Sequence, residues 1–227
     1  RIGLHFVHPN ISSKVAEKLG VKSLRMLLVN KSLEQQLFSA PESSVESFGQ
    51  AESLTSRLKT ILDMYPDGNP IFSELIQNAD DAGASKLCIV IDENSYGSES
   101  VLGPTMAALQ GPSVLVYNDA KFTESDYKSL ARIGQGSKLD RLAATGRFGL
   151  GFNSVYHITD TPSFVSGDHL VFFDPHTTYV PGANSLQPGL RIKFVGSQLD
   201  ITFPDQFAPF KYFGCDFKTT YEGTLFR

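Results

Sequence analysis

The sequence predicts an α+β fold, a two-layer sandwich in which helices cover one face of a mixed, mostly antiparallel sheet. Three observations lead there. Segments of helical period alternate with short β-rich runs through the first two thirds of the chain, which is how a layered domain buries both kinds of element. The second half is richer in strand signals and carries a hairpin turn by composition at Ser166-Gly167-Asp168. With 41% hydrophobic and 11% aromatic residues among 227, there is enough apolar side chain for one sizeable core.

Taken in order, Ser12 to Gly20 reads as a short helix and Val21 to Val29 as a second apolar element. Ser39 to Ser47 is polar, contains a proline and has no period, as a linker would. Residues 1–45 are therefore expected to be the tail of a preceding module with its linker, and 46–227 the folded domain. Leu54, Leu58, Ile61 and Leu62 mark an amphipathic helix that stops at the turn Tyr65-Pro66-Asp67-Gly68. A second helix follows, with Asn69 as its cap, Pro70 in its first turn and Gly83 closing it. Leu87 to Ile91 then reads as a buried strand and Val114 to Tyr117 as another. Thr123 and Asp126 resemble a capping box for a helix running through Leu130 and Ile133. Ser163–Val165 and His169–Phe173 flank the hairpin turn, and Arg191–Val195 and Thr224–Arg227 complete the strands. No internal repeat or low-complexity tract is visible.

Composition excludes several classes. A net charge of −4 and a pI near 5.7 argue against a nucleic-acid surface, which needs a basic stripe to neutralise phosphates. No apolar run approaches the roughly 20 residues that span a bilayer, and Arg1 to Phe6 lacks a signal peptide's apolar stretch. Cys88 and Cys215 have neither zinc-site spacing nor disulfide-scaffold density, so both are expected as reduced thiols in a cytoplasmic protein. The chain does not begin with Met, and an excised piece of a longer protein is the expectation.

Two segments carry chemistry. On the second helix, Ile71, Leu75, Ala79 and Ala82 form one stripe and Glu74, Asn78 and Asp81 another, rotated from it by only about 60°. A polar row beside the buried face suits groups that face into a cleft; an exposed edge with its carboxylates in water is the plainer alternative. Thr145-Gly146-Arg147-Phe148-Gly149-Leu150-Gly151-Phe152 is the other segment. Its glycines let backbone N–H groups converge on an anion, and a helix start after them favours phosphate; a flexible loop is the bland alternative. The Lys-Ser/Thr of a P-loop is absent, and a dinucleotide turn has the opposite glycine spacing directly after a strand, so neither of those folds is expected.

Together, Glu74-x-x-x-Asn78-x-x-Asp81 and Gly146-Arg-Phe-Gly-Leu-Gly-Phe-Asn-Ser-Val-Tyr156 resemble the first and second ATP-binding boxes of the GHKL family, which includes gyrase B and the ninety-kilodalton heat-shock chaperones. The resemblance implies the Bergerat form of the α+β sandwich, with ATP and Mg²⁺ as cofactors. It makes Asn78 the Mg²⁺ ligand and Glu74 the general base on the attacking water. Asp81, Gly146, Arg147, Gly149, Gly151 and Phe152 line the nucleotide. Asp119, after Val114-Leu-Val-Tyr-Asn118, matches the residue that accepts from the adenine amino group, and Thr224 in Tyr221-Glu-Gly-Thr224 matches the third box beside it. Ile133 to Thr145 falls where the family has a mobile lid, with Lys138, Arg141 and Arg147 within reach of phosphate. The chain is expected to end before the fold's last strands.

This chain departs from the family after Asp119, where Asp119-Ala120-Lys121-Phe122-Thr123 stands in place of Asp-x-Gly-x-Gly and both glycines are missing. Lost glycines narrow or reshape the base pocket, which leaves open a fold that has given up nucleotide and serves as a scaffold or client-binding module. Glu74 to Ala84, Tyr117 to Ala120, Val155-Tyr-His-Ile-Thr-Asp160, Ser166-Gly-Asp-His169 and Asp174-Pro-His176 are similar to very large chaperone-like proteins built of such repeats. That likeness implies a co-chaperone role in protein quality control, with the heat-shock chaperone system, client proteins and cytoskeletal filaments as partners and no nucleic acid or membrane. Hydrolysis is expected to be slow or absent in isolation, because the chaperones complete their site with a cation from a following domain. His157, His169 and His176 lack ligand spacing and are read as structural.

Overall fold

The structure is a computed structural model that describes residues 52–63, 70–131 and 151–227. All of them belong to one compact unit, Glu52–Arg227. The elements read before residue 30, the polar linker, the Tyr65–Asn69 turn and cap, and the lid and glycine loop up to Leu150 lie outside the described residues.

Two helices open the unit, α1 (Leu54–Asp63) and α2 (Pro70–Asp81). Leu58 and Ile61 of α1 are buried, as their spacing predicts. At the end of α2, Gly83 at φ 75° turns the chain left-handed; its N–H donates to the Asp80 carbonyl and that of Ala84 to the Ala79 carbonyl. This paired closure is the Schellman arrangement, which glycine adopts without a Cβ penalty. Strand β1 (Leu87–Asp92) follows, then a 3-10 helix (Pro104–Leu109), β2 (Ser113–Asn118) and α3 (Glu124–Leu130). The predicted capping box opens α3: the Asp126 amide donates to the Thr123 hydroxyl at 3.3 Å and the Thr123 amide to the Asp126 carboxylate at 2.8 Å. A 3-10 helix (Gly151–His157) leads into β3 (Ser163–Gly167), β4 (His169–Phe173) and β5 (Gly189–Lys193). Two short helices, α4 (Leu199–Thr202) and α5 (Pro204–Phe207), a 3-10 turn at Ala208–Phe210 and β6 (Tyr221–Phe226) complete the chain.

Among the described residues, six strands form one sheet in the order β1-β2-β6-β3-β4-β5, and all five pairings are antiparallel. The β3–β4 hairpin turns on Gly167 at φ 56°, as its composition predicts. Alternation along each strand divides the core in two. Val116, Phe164 and Phe226 point toward α2, α3 and the 151–157 helix, where they meet Ile71, Leu75, Phe152, Val155 and Tyr127. Leu115, Val165, Leu170, Phe172 and Leu225 point to the opposite side. There they pack on Met106, Phe207, Phe210 and Phe217. The α+β sandwich is thus present with its long helices on one face, and the short helices add a second cover that no sequence period announced.

Two expectations are corrected. Leu87–Ile91 reads as a buried strand, yet β1 is at the edge of the sheet, with Ile91 76% and Ile89 44% exposed. An apolar run specifies a strand but not how many neighbours cover it. The strand read at Arg191–Val195 runs two residues earlier, over Gly189–Lys193, because β5 pairs with β4 from Phe173↔Gly189 to His169↔Lys193.

Candidate functional site

The Glu74 row of α2 borders the buried face, as the helical spacing predicts. Ile71, Leu75 and Ala79 are buried, Glu74 and Asn78 are half-buried, and Asp81 is exposed. The apolar row seats α2 against Phe152 and Val155 of the 151–157 helix. That packing brings Glu74 onto Gly151, where a Cβ built on the glycine would fall inside the Glu74 carboxylate. What the glycine provides here is room for the Glu74 side chain and not a special backbone conformation, since Gly151 is not in the left-handed φ region. Two segments 77 positions apart in the sequence are in direct contact at the residues assigned to the acid and to the anion loop. Phe152 enters the core instead, its ring 5.6 Å from that of Phe173 and 5.9 Å from that of Phe226, so only its backbone faces outward from this packing. Gly146, Arg147 and Gly149 lie outside the described residues.

Asp119 sits just past β2. One carboxylate oxygen accepts from the Ser85 amide at 2.7 Å and the Lys86 amide at 2.9 Å, and the other from the Ser85 hydroxyl at 2.5 Å. These bonds tie the end of β2 to the turn after α2. The Ser85 hydroxyl and then the Lys86 amide hold the carboxyl below its ordinary value, so the group is ionised and purely an acceptor. A carboxylate offers about four lone-pair directions, and three are used by these neighbours. The remaining one, on the oxygen facing Ser85 Oγ, suits a single further donor such as an exocyclic amino group.

Thr224 is opposite Asn118 on β2 and opposite Ser166 on β3, so three polar residues form a row across the helix-facing side of the sheet. The Thr224 hydroxyl donates to the Ala120 carbonyl at 2.8 Å, one residue beyond Asp119. Thr224 and Ser166 are both essentially buried, at 1% and 0% exposure. Gly223 beside it has a steric cause: an added Cβ would come within 2.8 Å of the Tyr117 ring and 2.9 Å of the Asn118 carbonyl. The site residues therefore form two groups: Glu74 with Gly151 and its α2 neighbour Asn78, and Asp119 with Thr224 through Ala120.

Lys121 and Thr123 take the places of the two glycines, with Phe122 between them. Lys121 turns outward to Glu222, Nζ to Oε2 2.7 Å. Phe122 turns inward, its ring 4.8 Å from Phe164 and 5.4 Å from Tyr127. Tyr127 is buried, which pushes its phenol up to about 12; its hydroxyl donates to the Ser166 carbonyl and Arg191 stacks on its ring. His169 lies at the edge of that ring, 3.1 Å from Arg191, and burial followed by the Arg191 charge lowers it, in keeping with a structural histidine. Among the described residues, no three His, Cys, Asp or Glu side chains form a metal-type cluster and no helix is long and apolar enough to cross a membrane. The thiols of Cys88 and Cys215 are both free.

Ser85 and Ser166 are the contributors that motif reading missed. Ser166 carried a signal: it shares the inward parity of Phe164 in an apolar strand, and a buried serine needs partners.

The family model for the sacsin domain matches residues 51–227. Human sacsin is 42% identical over 226 residues, a match covering 98% of this chain and 5% of the human protein. The chain thus spans a small part of the length of the curated relative it matches. On this match, which takes in every described residue, the chain belongs to the sacsin domain family.

Proposed function

We propose that the chain is a chaperone-type nucleotide-binding domain, acting within a sacsin-type protein in cytoplasmic protein quality control. The observation that carries the reading is the seating of the Glu74 carboxylate on Gly151. An acid and an anion-loop glycine distant in sequence meet across the 151–157 helix, with the half-buried Asn78 one turn further along α2.

In this reading Asn78 holds Mg²⁺ through its amide oxygen, a hard donor of the kind the ion prefers. Gly146, Arg147, Gly149 and Gly151 hold the phosphates, and Asp119 and Thr224 hold the adenine end. The bound Mg-ATP supplies an activated phosphoanhydride. The protein's own part is to position it, to keep Asp119 ionised through Ser85 and Lys86, and to place Glu74 where it can take a proton from water. Turnover by the isolated chain is slow or absent, since a cation from another segment would be needed to stabilise charge on the transferring phosphate. The heat-shock chaperone system, its clients and cytoskeletal filaments are the partners this role entails.

A second reading is a fold that has given up nucleotide and serves as a scaffold or client-binding module. It is favoured by Lys121 and Thr123, which stand where the family pattern has glycine, and by Phe122 between them, whose ring joins the Phe164–Tyr127 cluster. Calorimetric titration of the chain with Mg-ATP and Mg-ADP separates the two. The first reading expects saturable heat that is lost in Asp119→Ala; absence of both heat and thermal shift at millimolar nucleotide leaves the second.

A further inference from the structure

We infer that Ser166 is a positioning residue for the Asp119–Phe122 loop, holding it from the sheet through a chain of hydroxyls that stands in for the lost glycines. The inference rests on the nucleotide reading for its functional meaning, but the clamp itself is in the hydrogen bonds. Ser166 Oγ accepts from the Phe122 amide at 2.9 Å. Thr224 Oγ1 donates its only proton to the Ala120 carbonyl at 2.8 Å. The 2.8 Å contact between the two hydroxyls must then run from Ser166 to Thr224, with the Gly223 carbonyl at 3.0 Å as the alternative acceptor of the same proton. The donors line up in one direction: Phe122 N–H to Ser166, Ser166 to Thr224, Thr224 to the Ala120 carbonyl. Such a chain strengthens its own members.

Both ends of that chain lie on the loop, one on each side of Lys121. A glycine-containing loop reaches an unusual path by its own backbone freedom; Ala120-Lys121-Phe122 has none to spare and is held by outside partners instead. The sheet supplies the opening. Between Ser166↔Thr224 and Gly167↔Tyr221 the β3–β6 register shifts, so Glu222 and Gly223 bulge out and the Gly223 carbonyl becomes available to Ser166. Because Asp119 directly precedes the clamped segment, release of the clamp moves the carboxylate from its place beside Ser85 and Lys86.

Amide hydrogen exchange on the whole chain tests this without any ligand. In Ser166→Ala the Phe122 amide is expected to exchange about tenfold faster, the factor one hydrogen bond is worth, while the Val165 and Leu225 strand amides change by less than about twofold. Thr224→Val should accelerate Phe122 in the same local manner, and Thr224→Ser, which keeps the hydroxyl, should leave it as in the parent. Equal acceleration at Phe122, Val165 and Leu225 would mean general loosening and overturn the clamp, as would an unchanged Phe122. The second arm titrates Mg-ADP. Affinity about tenfold weaker in Ser166→Ala supports positioning, and unchanged affinity in Ser166→Ala overturns it. If the parent itself gives no heat, it is the nucleotide reading that fails, and the exchange arm still decides the clamp.

Discussion

Replacing Gly151 with alanine probes the contact on which the functional reading rests, and its energy can be worked from the structure. The new methyl would occupy the place of the Glu74 carboxylate. That carboxylate is the far end of a flexible side chain on a half-buried helix position, so it can swing aside at the cost of about 0.5–1.5 kcal/mol for a poorer rotamer. Against this, alanine at an ordinary backbone conformation stabilises by about 0.4–1 kcal/mol through the unfolded chain. The net change in stability is expected to lie within about 1 kcal/mol, or about 2–4 °C in Tm for a domain of this size. In a Glu74→Ala background the clash is gone and only the gain remains, so a double-mutant cycle by urea denaturation should return a coupling of about 0.5–1.5 kcal/mol. If the chain turns over Mg-ATP, Gly151→Ala should slow it about a hundredfold by displacing the base, with folding intact. Strict additivity, with coupling below about 0.3 kcal/mol, would show that the two residues do not touch. A loss above about 3 kcal/mol from the single change would show that the methyl meets backbone and not a mobile carboxylate.

Four further outcomes can be checked directly. Asp119, Asp205, Asp216 and Glu124 are all held below their ordinary values, by the Ser85 hydroxyl, the Ser100 amide, the Lys218 amide and Arg191 respectively. Their contributions are complete above the unfolded values of 3.8 for Asp and 4.5 for Glu and fade as pH falls through the lower folded ones. Tm should therefore drop on acidification below that range, and Asp119→Asn should flatten the drop; an unaltered acid limb would contradict the assigned bonds. Phe164→Ala removes a fully buried ring that touches Phe122, Tyr127 and Phe226, and should cost about 3–5 kcal/mol in urea unfolding. Ile91→Lys on the edge strand should change stability by no more than about 0.5 kcal/mol, whereas a buried strand would lose several times that. A thiol reagent should modify Cys88 alone in the native chain, because Cys215 is buried and its thiol is pushed up to about 12; two modified thiols before unfolding would refute the packing.

Local signals read well wherever a few neighbouring residues settle the outcome. The α2 closure at Gly83, the Thr123–Asp126 capping box and the Gly167 hairpin are each specified within about five residues. The polar row on α2 was legible too, because helical period alone places Glu74 beside Leu75's face. Burial of β1 was not, since solvent exposure at Ile91 depends on which strands lie next to it in the sheet. The second layer on the far face was equally hidden: Met106, Phe207 and Phe210 come from 3-10 helices and four-residue helices, and Phe217 from an irregular segment, all too short to show a period.

The candidate site divides along the same line. Residue types and spacing by themselves determined the α+β class, the order of its elements and the segments able to hold an anion, because propensity, capping and periodicity act over a turn or two of chain. Only tertiary packing decided that Glu74 meets Gly151, that Asp119 is fastened by Ser85, and that Ser166 joins Thr224 beneath Ala120 and Phe122. Those contacts join residues 34 to 77 positions apart, and their existence depends on strand order, register and a bulge in β6, which no local window of sequence contains.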